Sequence, residues 1–119
     1  MYYLGIDLGS SSIKIALVDI NSGKSIGVVQ EPEQEMLMFA PELGWAEQEP
    51  LEWWSHVCTG IHKLKNRYSV EANEIKGIGI AYQMHGLVVM DKDGNPLRKS
   101  IIWCDSRAVE IGNKAYDEI

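Results

Sequence analysis

The chain opens with an apolar segment that contains one aspartate and runs directly into a turn of glycine and serine. The segment is Tyr2–Leu8, its aspartate is Asp7, and Gly9 follows it. Three serines complete the turn: Ser10, Ser11 and Ser12. A second apolar segment, Ile13–Asp19, then begins and carries Lys14. This order predicts two strands joined by a short turn, with a carboxylate and a lysine beside it.

Such a turn suits a phosphate and its metal ion. Glycine lets the backbone approach an anion closely, and serine amides and hydroxyls are donors, so the turn can form an anion-binding concavity. A carboxylate at a strand end can hold Mg²⁺, directly or through water, while the turn holds the phosphates that the ion bridges. The residues also fit an ordinary hairpin in which Asp7 caps the turn and Lys14 is a surface residue.

Composition and charge exclude several classes of partner. The chain has 119 residues, 45% of them hydrophobic and 24% charged, which allows one domain of ordinary size. A formal net charge of −6, with scattered basic residues, disfavours nucleic acid as a partner. No apolar run is long enough for a membrane span, and Met1 leads into a strand rather than a signal segment. We therefore expect a cytoplasmic protein that does not bind membranes.

The two cysteines, Cys58 and Cys104, lie far apart and have no companions, so we expect reduced thiols. Cys58 and His62 are four residues apart on a predicted helix, but two ligands do not complete a metal site.

The first half of the chain predicts three consecutive antiparallel strands and a helix. The third strand covers residues 25–30, and Gly23 supplies the turn before it. Residues 31–49 predict a loop with a short extended piece. A helix is expected from Pro50, with Trp53 at the edge of its apolar stripe. The stripe consists of Leu51, Trp54, Val57, Cys58, Ile61 and Leu64.

The second half predicts shorter elements. Ile75–Tyr82 alternates large apolar residues with glycine and alanine, which predicts a buried strand that another element approaches closely. Residues 88–90 predict a short strand, and residues 101–103 form an apolar segment. A last helix is expected with Ser106 as its N-cap. Its apolar face has no stop signal after it, so we expect a fragment of a longer protein. That face is Ala108, Ile111, Ala115 and Ile119.

Five ordered blocks resemble the FGGY family of carbohydrate kinases, and the third block is the tryptophan pair. The blocks are residues 6–14, 44–50, 53–54, 83–86 and 103–107. Gln83-Met84-His85-Gly86 is most similar to the branch of the family that phosphorylates xylulose. The resemblance implies a ribonuclease-H-like α/β fold, shared with actin and hexokinase: a mixed sheet with three antiparallel amino-terminal strands, then helix–strand units. Family members are several times longer, so it implies the truncated amino-terminal part of the first lobe over residues 1–119.

The resemblance also implies roles for individual residues. ATP and Mg²⁺ are the implied cofactors, with Asp7 near the metal and the transferred phosphoryl group. The phosphates would be contacted by Gly9, Ser10, Ser11, Ser12 and Lys14. The sugar would be contacted by Gln83, Met84, His85, Gly86, Trp103 and Asp105. Hydrogen-bonding groups beside an apolar wall are what an uncharged sugar requires.

The implied reaction converts ATP and D-xylulose into ADP and D-xylulose 5-phosphate. In the family, the aspartate that accepts the sugar proton and the lobe that holds adenosine lie beyond position 119. We therefore expect this chain alone to be inactive. Kinases of gluconate, glycerol or another polyol, and a non-catalytic sugar or nucleotide sensor, are alternatives with the same fold.

Several residues have structural alternatives. His85 can be a buried histidine bonded to a backbone carbonyl, and Arg107 can pair with Glu110 after the N-cap. Trp53 and Trp54 are expected to pack the helix rather than bind sugar, and Trp45 is left open.

A ribonuclease-H-type nuclease is disfavoured, because it requires several converging carboxylates and the sequence offers only Asp7 with confidence. A truncated sheet exposes an edge and a face, so we expect self-association there.

Overall fold

Six strands and two α-helices make up the chain in a computed structural model that describes residues 1–119. In chain order they are β1 (Tyr2–Leu8), β2 (Ile13–Asp19), β3 (Ser25–Glu31), β4 (Glu47–Gln48), α1 (Pro50–Tyr68), β5 (Ile75–Tyr82), β6 (Ser100–Ile101) and α2 (Val109–Asp117). The chain divides into two compact units, residues 1–36 with 51–83 and residues 37–50 with 84–119. Neither helix has the length and apolar character required to cross a bilayer.

The first unit contains a four-stranded mixed sheet in the order β3-β2-β1-β5. β1 pairs antiparallel with β2, and β2 pairs antiparallel with β3. On its other side β1 pairs in parallel with β5. The three predicted antiparallel strands are confirmed, and so is the turn at Gly23, whose φ is 67°. Such a φ suits glycine because it has no Cβ.

One face of this sheet forms the hydrophobic core with α1. Alternate residues of β1 and β2 are buried on this face, and Val57 and Leu64 of α1 belong to the same core cluster. Gly60 brings the helix close to the sheet, because a Cβ at position 60 would lie 2.7 Å from Ile15 Cδ1. The buried strand residues are Leu4, Ile6, Ile13, Ile15 and Leu17.

The predicted helix α1 is confirmed, but its buried face is rotated relative to the predicted stripe. Trp54 is 66% exposed and Leu51 is 60% exposed, whereas Trp53 packs against the core. Trp53 is four residues before Val57, so the two lie on the same side of the helix. The prediction that Trp54 belongs to the apolar stripe and Trp53 only to its edge is therefore wrong.

Strand β5 is confirmed in position, but the prediction that it is buried is wrong. Its large residues Ile78, Ile80 and Tyr82 are 57%, 63% and 71% exposed. β5 is the edge strand of the sheet, and the core cluster centres on β1 and β2 instead. An edge strand outside the area covered by the helix keeps both its side chains and its unpaired backbone groups accessible.

The second unit contains the antiparallel pair of β4 with β6. Single bridges extend it, from Phe39 to Glu47 and from Leu87 to Ile101. The predicted strand at residues 88–90 is absent, and only one bridge joins Met90 to Pro96. A short bridge is all that remains because Gly94, with a φ of 85°, turns the chain after few residues.

The last helix begins at Val109, with Ala108 rather than Ser106 as its N-cap, and all its residues are exposed. Ser106 does not act as its N-cap, because the Ser106 hydroxyl donates to the Gly44 carbonyl at 3.0 Å. The Ser106 amide donates to the same carbonyl at 2.8 Å. These bonds hold Ser106 in the loop and delay the first helical turn.

Candidate functional site

Asp7 and Lys14 face each other on the sheet surface opposite α1. They are direct partners in the β1–β2 register, and both are exposed. Their neighbours Ile6 and Ile13 point the other way and are buried, as strand alternation requires. Asp7 and Lys14 line an open groove of about 520 Å³ whose floor is formed by small residues. Those small residues are Gly5, Ala16, Gly79 and Ala81.

Backbone hydrogen bonds fix the glycine–serine turn between β1 and β2. The Gly9 amide donates to the Ser12 carbonyl at 3.1 Å, and the Met36 amide donates to the Ser11 carbonyl at 2.7 Å. A Cβ at position 9 would lie 2.9 Å from that Ser12 carbonyl, so glycine is required there. Ser12 is 8% exposed, whereas Ser11 is exposed. Gly9 therefore shapes the turn, and contacts of Ser10, Ser11 and Ser12 with an anion stay a prediction.

Gln83 lies directly after β5, next to the end of β1. Its amide donates to the Leu8 carbonyl at 2.9 Å, which extends the parallel pairing by one residue. Both polar atoms of its side chain are buried and bond to no other protein group. Burying an amide without a hydrogen-bond partner is unfavourable by about 1–3 kcal/mol, so a polar group beside this side chain would be stabilising. Among the predicted sugar-binding residues, Gln83 belongs to the first unit, together with all the predicted phosphate-binding residues.

The remaining predicted sugar residues lie in the second unit. Met84 is 65% exposed and Trp103 is 58% exposed. The segment after Met84 lies beside β6, because Leu87 and Ile101 exchange backbone hydrogen bonds of 2.9 and 3.2 Å. At Gly86 a Cβ would be 3.5 Å from the Ile101 carbonyl. The structure therefore brings residues 84–87 next to the segment that carries Trp103.

His85 has an unusual backbone conformation and an exposed side chain. Its φ is 62°, a left-handed value that is unfavourable for a residue with a side chain. The side chain is exposed, so the alternative of a buried structural histidine is wrong. Strained non-glycine residues cluster at functional sites. A contact of His85 with sugar stays a prediction.

Asp105 is engaged within the protein. Its side chain is 3% exposed, and Oδ2 accepts a hydrogen bond of 2.7 Å from the Ala46 amide. The Arg107 guanidinium bonds both carboxylate oxygens, with Nη2 to Oδ2 at 2.7 Å and Nε to Oδ1 at 2.9 Å. Chiefly through this guanidinium, the pKa of Asp105 is held well below its usual range. A direct contact of Asp105 with sugar stays a prediction. Its bonds to Ala46 and Arg107 give Asp105 a structural role as well.

Sequence reasoning missed the partners of Arg107. Arg107 pairs with Asp105 and with Glu47 rather than with Glu110, and its guanidinium stacks 3.7 Å from the centre of the Trp45 ring. Glu47 is 6% exposed and also bonds Arg98 at 2.5 Å. Buried charges are nearly always paired. Glu47 and Arg107 both lie in sequence blocks that resemble the FGGY family, and this resemblance is the signal that could have indicated their importance.

Comparison with known proteins identifies the family. The FGGY family of carbohydrate kinases, N-terminal domain, matches residues 2–118. A xylulose kinase from Staphylococcus epidermidis is 43% identical over 105 residues, which are 87% of this chain and 20% of the relative. This chain thus spans about a fifth of that relative's length.

Solved structures agree in fold. A xyloylose kinase from Brucella ovis superposes with a TM-score of 0.83 at 34% identity, covering 100% of this chain and 25% of the other. A gluconate kinase from Lactobacillus acidophilus gives a TM-score of 0.86 at 29% identity, covering 98% and 22%. The predicted actin- and hexokinase-type fold is confirmed, and the chain belongs to the FGGY family of carbohydrate kinases.

Proposed function

We propose that this chain forms part of an ATP-dependent kinase that transfers a phosphoryl group to D-xylulose, giving ADP and D-xylulose 5-phosphate. The observation that carries the proposal is the pairing of Asp7 with Lys14 on an exposed sheet face beside the glycine–serine turn. D-xylulose is favoured over other sugars because xylulose kinase is the name of the Staphylococcus epidermidis relative. Such an enzyme works in the cytoplasm, where ATP is available.

Phosphoryl transfer depends on positioning and charge neutralisation rather than on covalent chemistry by the protein. Lys14 places a positive charge beside the groove, where it would contact the nucleotide phosphates. Ser10, Ser11 and Ser12 would add amide and hydroxyl donors at the turn. These contacts would hold the nucleotide with its terminal phosphate beside the end of β1.

Magnesium fits this donor set. No three histidine, cysteine or carboxylate side chains lie close enough together to hold a metal alone. A single carboxylate is sufficient for Mg²⁺ when substrate phosphates and waters supply the other ligands. Asp7 is the residue that would hold the ion, directly or through water. When bound, the ion neutralises charge on the phosphate oxygens.

Recognition of the sugar would use groups of both polar and apolar character. The unpaired Gln83 amide can exchange hydrogen bonds with a hydroxyl group, and the exposed His85 adds a second polar group. Met84 and Trp103 offer apolar surface for the carbon chain. Hydrogen-bonding groups and apolar surface are what an uncharged ketose requires.

The test is ATP-dependent phosphorylation by the complete kinase that carries this segment, measured by coupled ADP release with D-xylulose, gluconate and glycerol. We expect the highest kcat/KM with D-xylulose. Asp7→Asn should lower kcat by about 10²–10³-fold, the usual effect of removing one electrostatic stabiliser. Asp19→Asn makes the same change at the opposite end of the hairpin, where Asp19 bonds Ser22 at 2.8 Å, and should leave kcat unchanged.

Equal losses in the two variants would contradict the role of Asp7, and binding of D-xylulose without turnover would favour a sensor. Gluconate is the second candidate substrate, supported by the fold match to the Lactobacillus acidophilus gluconate kinase. A higher kcat/KM with gluconate would establish it instead.

The 119-residue chain alone should show no measurable turnover. Losing a general base lowers a rate by about 10²–10⁴-fold, and losing the groups that orient the nucleotide lowers it further. ADP release by the isolated chain with D-xylulose, at a rate close to that of the complete kinase, would overturn this expectation.

A further inference from the structure

Trp103 is presented at the tip of a tight turn. The Trp103 turn (residues 102–105) is closed by a hydrogen bond of 3.0 Å from the Asp105 amide to the Ile102 carbonyl. Its first residue is anchored to the neighbouring strand segment, because the Ile102 amide donates to the Ala46 carbonyl at 3.1 Å. Ile102 itself is 1% exposed, whereas Trp103 is 58% exposed. The backbone of the turn is thus fixed, while its aromatic side chain faces outward.

The last residue of the turn is held by a buried carboxylate. Asp105 accepts from the Ala46 amide at 2.7 Å and from the Arg107 amide at 2.9 Å. Bidentate bonding by the Arg107 side chain satisfies the remaining acceptor sites. Asp105 therefore links the end of the turn to the segment at Ala46, and the Arg107 guanidinium balances its buried charge.

Arg107 connects the turn to β4. Its Nη2 also donates to Glu47 Oε1 at 2.8 Å, and its plane stacks on the Trp45 ring. The Arg107 side chain is 16% exposed, and those of Glu47 and Asp105 are 8% and 3% exposed. A planar cation that bridges two buried carboxylates and stacks on an aromatic ring cannot be replaced by lysine without losing contacts.

We propose that Arg107 is a positioning residue, which orients Trp103 for sugar recognition by joining Asp105 in the turn to Glu47 in β4. The inference rests on the proposed function in one respect, namely that Trp103 contacts the sugar. Arg107 itself touches no substrate in this proposal. It acts through the geometry of the turn.

A direct test follows the environment of Trp103 in the 119-residue chain. Labelling with 5-fluorotryptophan gives one ¹⁹F signal for each of the four tryptophans, and Trp103→Phe assigns the signal of interest. Arg107→Lys should shift or broaden the Trp103 signal while leaving those of Trp53 and Trp54 unchanged. The matched control is Arg98→Lys, because Arg98 also bonds Glu47 but is 47% exposed and is not bonded to Asp105.

Glu47→Gln is a second variant, which keeps the shape of the side chain and removes its charge. It should move the Trp103 signal in the same direction as Arg107→Lys. An unchanged Trp103 signal in both variants would overturn the inference. A shift of the same size in Arg98→Lys would overturn it as well, because the effect would then not depend on Asp105.

In the complete kinase, Arg107→Lys should lower kcat/KM for the sugar by about 10- to 100-fold, the loss typical of a slightly misplaced binding group. The KM for ATP should stay the same. Absence of sugar phosphorylation in the parent enzyme would reject the proposed function, and the ¹⁹F result would still decide whether Arg107 positions Trp103. Equal losses for sugar and ATP would contradict a specific effect on the turn.

Discussion

Replacing Gly60 with alanine tests whether the close approach of α1 to the sheet limits the core. The new Cβ would lie 2.7 Å from Ile15 Cδ1 and 3.5 Å from Glu31 Cγ. Ile15 is 0% exposed, so its side chain cannot move aside into solvent. Overpacking of a dense core costs about 1–3 kcal/mol. Alanine in a helix gains about 0.5–1 kcal/mol over glycine, which leaves a net loss of about 1 kcal/mol.

Urea unfolding followed by far-UV circular dichroism measures this loss. With an m-value of about 2 kcal/mol/M, the midpoint for Gly60→Ala should fall by about 0.5 M. Thr59→Ala is the matched control on the same helix, because Thr59 is exposed. There the gain in helix propensity acts alone, so the midpoint should rise by about 0.2 M. A rise in both variants would refute the steric argument.

Three further predictions concern His85, Asp105 and β5. His85→Gly should stabilise the chain by up to about 1 kcal/mol in thermal unfolding, because glycine accepts a φ of 62° without strain; a lower melting temperature would show that the His85 side chain stabilises the turn. The lowered pKa of Asp105 means that its contribution to stability is present above its ordinary value of 3.8 and is lost as the pH falls below it. Asp105→Asn should therefore be less stable at neutral pH and less sensitive to acid, as followed by the summed fluorescence of the four tryptophans, and an unchanged acid profile would count against this. The chain should self-associate through β5 with rising concentration, and Ile80→Lys should suppress this in light scattering, because charge on an edge strand opposes pairing; a monomeric parent chain at high concentration would contradict the proposal.

The elements that the sequence predicted well are those whose patterns are local. Alternation in β1 and β2, the turn at Gly23 and the helix start at Pro50 each depend on a few neighbouring residues. The exposure of β5 could not be predicted in this way, because it depends on which strands α1 covers. The exact phase of α1 was also missed, since a shift of one residue exchanges Trp53 for Trp54 as the buried tryptophan.

Some residues of the candidate site could be placed together from the sequence, and others could not. Asp7, Lys14 and the serine turn lie within one hairpin, so their proximity follows from the sequence. The bond between Arg107 and Glu47 joins residues 60 positions apart, and no local pattern relates them. The lack of hydrogen-bond partners at the Gln83 side chain likewise depends on the folded chain around it and could not be predicted from the sequence.

The parallel pairing of β1 with β5 has an evolutionary consequence. Asp7 near the end of one strand and Gln83 immediately after the other emerge at the same border of the sheet. Position 83 lies outside the hydrophobic cluster that holds the strands and α1 together. Under the proposed function, mutation there would change which molecule is recognised while the inherited scaffold is preserved, so new specificities would arise in a lineage without the fold being rebuilt.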